Sequence, residues 1–247
     1  GNRFTDDWRH FLKGRHRPLA IVCISAHWYT RGTYITGNDY PKTLHDFSGF
    51  PLSLSEIRYA CPGSPELASE ISHRSAGKIN ISQEWGLDHG TWSILVHLFP
   101  EADIPTLQIS LDKHQTAADF VELGQSLQWL RDEGVLIIGS GNIVHNIRKW
   151  LNDPKGPYDW ARDFDEAVAC ALEQGNVEAL TNYQRLPGAA ASVPTAEHYL
   201  PLLPIIGLRR DSDVLTMTDY PADSLEHCSM RSFCLSDGPK QDILERR

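Results

Sequence analysis

Apolar and polar positions along the chain fall into runs whose period changes from segment to segment, and those changes mark out the elements. Pro18-Leu19-Ala20-Ile21-Val22-Cys23-Ile24 is continuously apolar and rich in β-branched residues, the pattern of a strand buried on both faces. It closes on Ser25-Ala26-His27-Trp28, which puts an imidazole at the carboxyl end of that strand, where ligands gather in open α/β sheets. Residues 104–111 alternate as a second strand, with Pro105 near its start. Val135-Leu136-Ile137-Ile138 is a third, running into Gly139-Ser140-Gly141-Asn142-Ile143-Val144-His145-Asn146. Shorter strands are expected at 79–82, 214–217 and 228–235, and 30–36 reads as a polar strand or loop.

Helical period separates these strands. Thr5-Asp6-Asp7 reads as a cap ahead of Trp8, Phe11 and Leu12. Ser64-Pro65-Glu66 combines an N-cap serine, a proline at the first helical position and an acid in the first turn, for a helix reaching about Gly77. Residues 85–92 read as a glycine-flanked turn entering a buried helix over 93–99. Thr116-x-x-Asp119 caps a helix whose apolar face is Phe120, Leu123, Leu127 and Leu130, ended by Gly134. Trp160, Phe164, Val168 and Ala171 lie on one helical face, and 177–186 suggests another helix. Thr195 is expected to cap a helix with His198 in its first turn, buried over 200–206 and kinked by Pro201 and Pro204. The alternation, without repeats, low-complexity tracts or a linker, predicts an α/β fold: a single domain over 1–247, with a central, largely parallel or mixed sheet flanked by helices. Residues 37–63 hold glycine, proline and aspartate but also aromatic residues, and read as an ordered, functional loop; 237–247 read as a solvated tail.

Composition narrows the classes. With 247 residues and 41% hydrophobic content, the chain can bury a full-size core. A net charge of −9 argues against nucleic acid or an anionic membrane as partner. No apolar run approaches the roughly 20 residues that span a bilayer, and no signal peptide is visible. Five scattered cysteines, never spaced as C-x-x-C, read as reduced thiols in a cytoplasmic protein. The chain opens on Gly1 and not on methionine, so a processed, tagged or truncated start is expected.

Among eleven histidines, His27, His89, His145 and His198 fall at element ends beside glycine or capping residues. Two or three neutral imidazoles with open positions suit a divalent transition metal such as Fe(II) or Zn(II). At a helix N-terminus the macrodipole would hold His198 neutral and able to ligate. Glu197 is its rival as a ligand, since adjacent helical residues point about 100° apart. Asp46 and Asp88 read either as carboxylates orienting the neighbouring rings or as turn residues. His10, His16, His73, His97, His114 and His227 are expected to be structural or surface residues. Gly139-Ser140-Gly141-Asn142 is half of a phosphate-cradling loop without the rest of the fingerprint, and Ser25 and Ser140 lack a nucleophile elbow.

The motifs Ser25-Ala26-His27-Trp28-x-Thr-Arg-Gly-Thr, Leu44-His45-Asp46-Phe-x-Gly-Phe-Pro, Pro62-Gly-Ser-Pro-Glu-Leu-Ala, Trp85-Gly-Leu-Asp-His89-Gly-Thr-Trp, Gly139-Ser-Gly-Asn-Ile-Val-His145-Asn and Pro194-Thr-Ala-Glu-His198-Tyr-Leu-Pro-Leu-Leu occur in this order. Together they resemble the 4,5-DOPA extradiol dioxygenase-like proteins of the class III (LigB-type) ring-cleaving family, over nearly the whole chain. The resemblance implies an α/β dioxygenase that opens a catechol, a DOPA-like aromatic diol, with O2 and one non-haem Fe(II) or Zn(II). It further implies His27 and His198 as metal ligands, with His145 as acid/base or a further ligand. His89 would stand at the substrate and His45 on the loop covering it. A homo-oligomer is compatible with it. The family opens on a strand ending in His-Gly-Ser-Pro, whose histidine is a ligand, and Gly1-Asn2-Arg3-Phe4 aligns just downstream of that point; truncation or true loss would explain this. True loss would favour a second reading, a catalytically degenerate, Memo-like metal-binding or interaction protein of the same fold. A zinc hydrolase is disfavoured because no carboxylate is clearly placed to activate a metal-bound water.

Overall fold

A computed structural model of the chain describes residues 2–49, 51–152, 156, 158–218 and 228–238, with Trp150 by its backbone alone. His227 and the tail beyond 238 therefore lie outside the described residues. Helix α1 (Arg3–Leu12) is capped by Asn2 and not by Thr5, because the Asn2 side chain accepts from the Thr5 N–H while Thr5 Oγ1 accepts from the Asn2 N–H. Strand β1 (Ala20–Thr30) alternates as expected: Ala20, Val22 and Ile24 enter one core and Ile21 the other. Strand β2 (Thr33–Thr36) follows, and the long loop after it holds a short helix α2 (Leu52–Ser55). Helix α3 (Pro65–Arg74) starts at its Ser64 cap, and β3 (Ile79–Ser82) comes next. Helix α4 (His89–Leu98) begins four residues before the expected 93, since the Asp88 side chain caps it by accepting from the Thr91 N–H.

Strand β4 (Thr106–Asp112) leads to α5 (Ala117–Ser126), whose Thr116–Asp119 capping box forms as read. A break after Ser126 separates a short α6 (Trp129–Asp132), yet Leu127 and Leu130 stay in the core. Strand β5 (Val135–Ser140) is followed by α7 (Ile147–Asn152), which the apolar pattern does not announce. Helix α8 (Asp159–Gln174) ends on Gly175 at φ 64°, the left-handed position that suits glycine. Helix α9 (Val177–Thr181) and a 3-10 turn (Tyr183–Arg185) replace the single helix expected over 177–186. Then come α10 (Ala189–Ser192), α11 (Leu202–Gly207), β6 (Asp213–Met217) and β7 (Phe233–Asp237). The last strand starts later than the expected 228; Cys228 makes only an isolated bridge to His145.

One correction bears on the site. Residues 194–200 are turns, not a helix, and α11 starts only after Pro201. Proline disfavours helical backbone in the residue before it, which holds Leu200 out of the helix. Pro204 then sits in the first turn of α11, where its missing N–H costs nothing, and does not act as a kink. His198 is thus on a turn, and the helix-dipole argument for its neutrality fails.

The main sheet has the order β3-β2-β4-β1-β5. β1 is parallel to both β4 and β5, whereas β2 runs antiparallel to β4 and parallel to β3, so the sheet is mixed. The chain passes from β4 through α5 and α6 to β5, placing successive strands on opposite sides of β1. The carboxyl end of β1 is therefore a switch point, the position at which open α/β sheets form binding crevices. One core lies on the face covered by α3, α5, α8 and α11; a smaller one, with Tyr59, Leu87, Trp92 and Leu95, lies on the face covered by α4. β6 and β7 form a separate antiparallel pair, fastened by the bidentate Arg131–Asp213 ion pair to α6. β5 pairs on one side only among the described residues, and a cavity of about 560 Å3 separates it from β7. No helix among the described residues is long and apolar enough to cross a membrane. All five cysteines are free.

Helices α5 and α11 touch through glycine: a Cβ on Gly124 would stand 1.9 Å from the Pro204 carbonyl oxygen. Gly124→Ala is expected to cost about 1–3 kcal/mol by overpacking. In a chain of this size that lowers Tm by several degrees. Thermal denaturation checks it.

Candidate active site

Strand β1 loses its regular ladder just where the chemistry begins. Ile24 pairs with Ile109, but the next β4 pairing is Tyr29 with Leu111, so three extra residues are accommodated in β1 between them. On the other side the ladder with β5 ends at Ser25–Ser140. This bulge lifts His27 off the sheet, the use bulges commonly have beside active sites.

A buried hydrogen-bond network holds α4 against this bulge. Asp88 Oδ1 accepts from Ser25 Oγ at 2.7 Å and from the Thr91 N–H at 3.2 Å, and its other oxygen accepts from Gln108 Nε2. Gln108 Oε1 in turn accepts from Thr91 Oγ1 at 2.7 Å and from the Asp88 N–H at 3.2 Å. Every member is buried. Burial pushes the Asp88 carboxyl up, against the downward pull of Ser25 and Gln108. As the first helical residue, His89 is delivered to the end of β1. Gly90 permits the approach: a Cβ there would stand 2.6 Å from Ser25 Oγ and 2.9 Å from His27 Cδ2. Ser140 Oγ donates to the Gly90 carbonyl at 2.6 Å. Both serines are thus spent on structure, in line with the rejected nucleophile reading.

The loop after β2 adds Asp46. Backbone bonds between Leu44 and Leu87 (2.8 Å) and between Leu87 and Lys42 (2.8 Å) pin it, and Trp92 Nε1 donates to the Leu44 carbonyl at 2.8 Å. Asp46 Oδ1 accepts from the His89 N–H at 2.9 Å and lies 2.9 Å from His89 Nδ1, while Oδ2 is 3.4 Å from His27 Nδ1. Of the two readings open for Asp46, the orienting carboxylate is the one this geometry meets. His45 turns its Nε2 to the Ile57 carbonyl at 3.0 Å. Its ring lies 5.6 Å from Trp92 and 5.9 Å from Phe47, and Phe47 is 5.3 Å from His89. Phe47 and Trp92, which composition alone does not single out, form an aromatic wall beside His89.

From the other side come His145 and His198. Asn142 N–H donates to the His198 carbonyl at 2.8 Å, and a Cβ on Gly141 would stand 2.2 Å from that oxygen. The Gly139–Asn142 stretch is glycine-rich because the 198–201 turn packs on it, not because it cradles phosphate. His145 is held by its N–H to the Ser192 carbonyl (2.9 Å) and by the bridge to Cys228. The rings form one chain. His89 and His27 centroids are 3.9 Å apart, His27 and His198 5.1 Å edge to face, and His198 and His145 3.5 Å and stacked. All four predicted histidines are brought together; His45 is one aromatic ring removed. His10, His16, His73 and His114 are exposed and His97 half-buried, away from this group.

Burial first, then the neighbouring His89 and His198, lower the His27 pKa from 6.5 to about 4, so its ring is neutral and able to donate to a metal. Burial opposes ionisation of Asp46, but its hydrogen bonds from His89 prevail and hold the carboxyl below its usual value. Ligand atoms of His27, Asp46 and His89 lie within 4.8 Å of one another, and His89 Nδ1 is buried without an aligned hydrogen-bond partner. Nitrogen donors kept neutral beside a carboxylate fit a divalent transition metal.

Residues 2–222 match the family described as the catalytic LigB subunit of aromatic ring-opening dioxygenase. The chain belongs to that family. It is 42% identical over 244 residues to a 4,5-DOPA dioxygenase extradiol of Escherichia coli K12, covering 96% of this chain and 89% of that protein. A 4,5-DOPA dioxygenase extradiol of Beta vulgaris is 39% identical, over 81% of this LigB-type chain and 76% of its own length. A crystal structure of an uncharacterised E. coli K12 protein superposes with a TM-score of 0.77 at 39% identity, covering 92% of this chain and 91% of the other. The α/β fold expected from the sequence is thus shared by that structure.

Two outcomes follow for the metal-free protein. An unfolded imidazole takes up its proton near 6.5 and the folded His27 only near 4, so stability falls as the pH drops through that window and levels off below it. Thermal denaturation from pH 7 to 4 should show this descent, shallower in His27→Gln. Gly90→Ala, which drives a methyl group into Ser25 and His27, should lower Zn(II) affinity by at least about tenfold in equilibrium dialysis.

Proposed function

We propose that this LigB-type chain is a non-haem metal-dependent extradiol dioxygenase, opening the ring of a catechol next to its hydroxyls with O2. The observation that carries the reading is the unbroken run of His89, His27, His198 and His145 at the carboxyl ends of β1 and β5. His27 and His198 would hold the metal, as the family resemblance implies, with His145 adjoining; beside them the ligand atoms of His27, Asp46 and His89 lie within 4.8 Å of one another. A bound Fe(II) or Zn(II) would supply Lewis acidity, and iron would also exchange electrons with oxygen.

The chain's own residues do the rest. Phe47 offers an apolar face for an aromatic ring beside His89, backed at 6.1 Å by the buried Trp92, and keeps water from the imidazole it flanks. His89, held in place by Asp46, hydrogen-bonds a substrate hydroxyl. His145, stacked on His198, takes the proton of a catechol hydroxyl at an imidazole nitrogen and returns it as the ring opens, since imidazole works as acid and base near neutrality. His45, on the loop that bears Asp46 and Phe47, would cover the substrate with that loop.

Oxygen uptake and the absorbance of a ring-opened product, with simple catechols and DOPA after metal loading, test the proposal. His145→Ala is expected to lower kcat by about 10²–10⁴-fold with metal retained. His27→Ala and His198→Ala are expected to lose the metal itself. An iron-loaded protein that binds catechols yet consumes no oxygen would contradict the proposal and favour the binding-protein reading.

A further inference from the structure

Glu197, the sequence's rival to His198 for the metal, does neither of the things a helix would have allowed. On the observed turn it faces His198 itself: Oε1 stands 3.3 Å from His198 Nδ1 and accepts from Thr195 Oγ1 at 2.7 Å. Both side chains are largely enclosed, at 25% and 12% exposure for Glu197 and His198. The His198 backbone is fixed by the Asn142 bond, and one ring face is covered by His145 at 3.5 Å. What remains free is rotation of the ring and the choice of the nitrogen that carries its proton. The Glu197 contact settles both.

We infer that Glu197 is a positioning residue: its carboxylate takes the Nδ1–H of His198, which fixes the ring's tautomer and leaves Nε2 as the nitrogen presented to a metal. The chemistry is that of a carboxylate behind a ligating histidine, which sets ring orientation and raises ligand basicity. On the opposite flank the Asp46 carboxylate stands 3.4 Å from the Nδ1 of His27, a second carboxylate beside a ring of the same row.

The inference rests on His198 belonging to the proposed metal site, but its first readout needs neither metal nor activity. Long-range nitrogen NMR of the metal-free protein reports which His198 nitrogen is protonated. The wild-type chain should show Nδ1–H; Glu197→Ala should show mixed tautomers. Equilibrium dialysis with Zn(II) alone should then give about 10–100-fold weaker binding in Glu197→Ala. Glu197→Gln, which keeps an acceptor oxygen, should fall between. Thr195→Val, which leaves Glu197 in place but frees its carboxylate, should move both readouts the same way by a smaller amount. An Nε2–H tautomer in the wild type, or Zn(II) affinity unchanged in Glu197→Ala, would overturn the inference. So would metal loss in Glu197→Gln as complete as in His198→Ala, since that would make Glu197 a ligand. A chain inactive on every catechol but showing the tautomer change would retain this inference and lose only the dioxygenase proposal.

Discussion

Asp88 is a fully buried carboxylate whose oxygens accept from Ser25 on β1, Gln108 on β4 and the Thr91 N–H of its own helix. An ionised group away from water is tolerated only when such donors surround it, and hydrogen bonds to a charge contribute about 1.5–3 kcal/mol each. Removing one donor would leave the charge uncompensated, so the three elements are bound to one arrangement. That arrangement brings the first residue of α4, His89, to 3.9 Å from His27, with Gly90 between the helix and the strand. The network has no carboxylate directed at the rings, yet every ring position near β1 depends on it.

Outside this fixed corner the site is assembled by longer connections. The loop bearing Asp46 is pinned by its pairing with Leu87 and by Trp92; the His198 turn is packed on the glycines after β5; His145 is clipped between Ser192 and Cys228. Each of these contacts joins segments distant in sequence. The result is a row of imidazoles with Asp46 beside His89 and His27 and Glu197 beside His198. Two carboxylates behind the histidines compensate a cation that neutral rings alone would not, which suits the divalent metal that the LigB family's chemistry calls for.

Much of the fold was legible where periodicity and local capping decide it: the apolar run of β1, the Ser64 cap of α3 and the Thr116–Asp119 box of α5 stand as read, and β5 forms where expected, although as an edge strand it is only half-buried. The errors fall where one local signal hides another. Asp88 sits beside a histidine, which hides its second role as an N-cap, and that cap starts α4 ahead of the apolar run. Thr195 looked like a cap, but Pro201 governs where helix can begin, and the turn that results is what lets Glu197 meet His198. In the site, the histidines at element ends were visible because glycines and caps surround them. Phe47, Trp92 and Gln108 were not, because their roles come from long-range contacts and carry no local pattern.

The central claim is that His27 and His198, brought together by β1 and the turn after Pro194, form the metal site. Anomalous diffraction at the zinc edge from crystals of the Zn(II)-loaded protein tests it most directly. The account predicts a strong peak between these two rings, about 2.0–2.1 Å from a nitrogen of each. A peak confined to other residues, with His27 and His198 free of metal in a fully loaded protein, would contradict it.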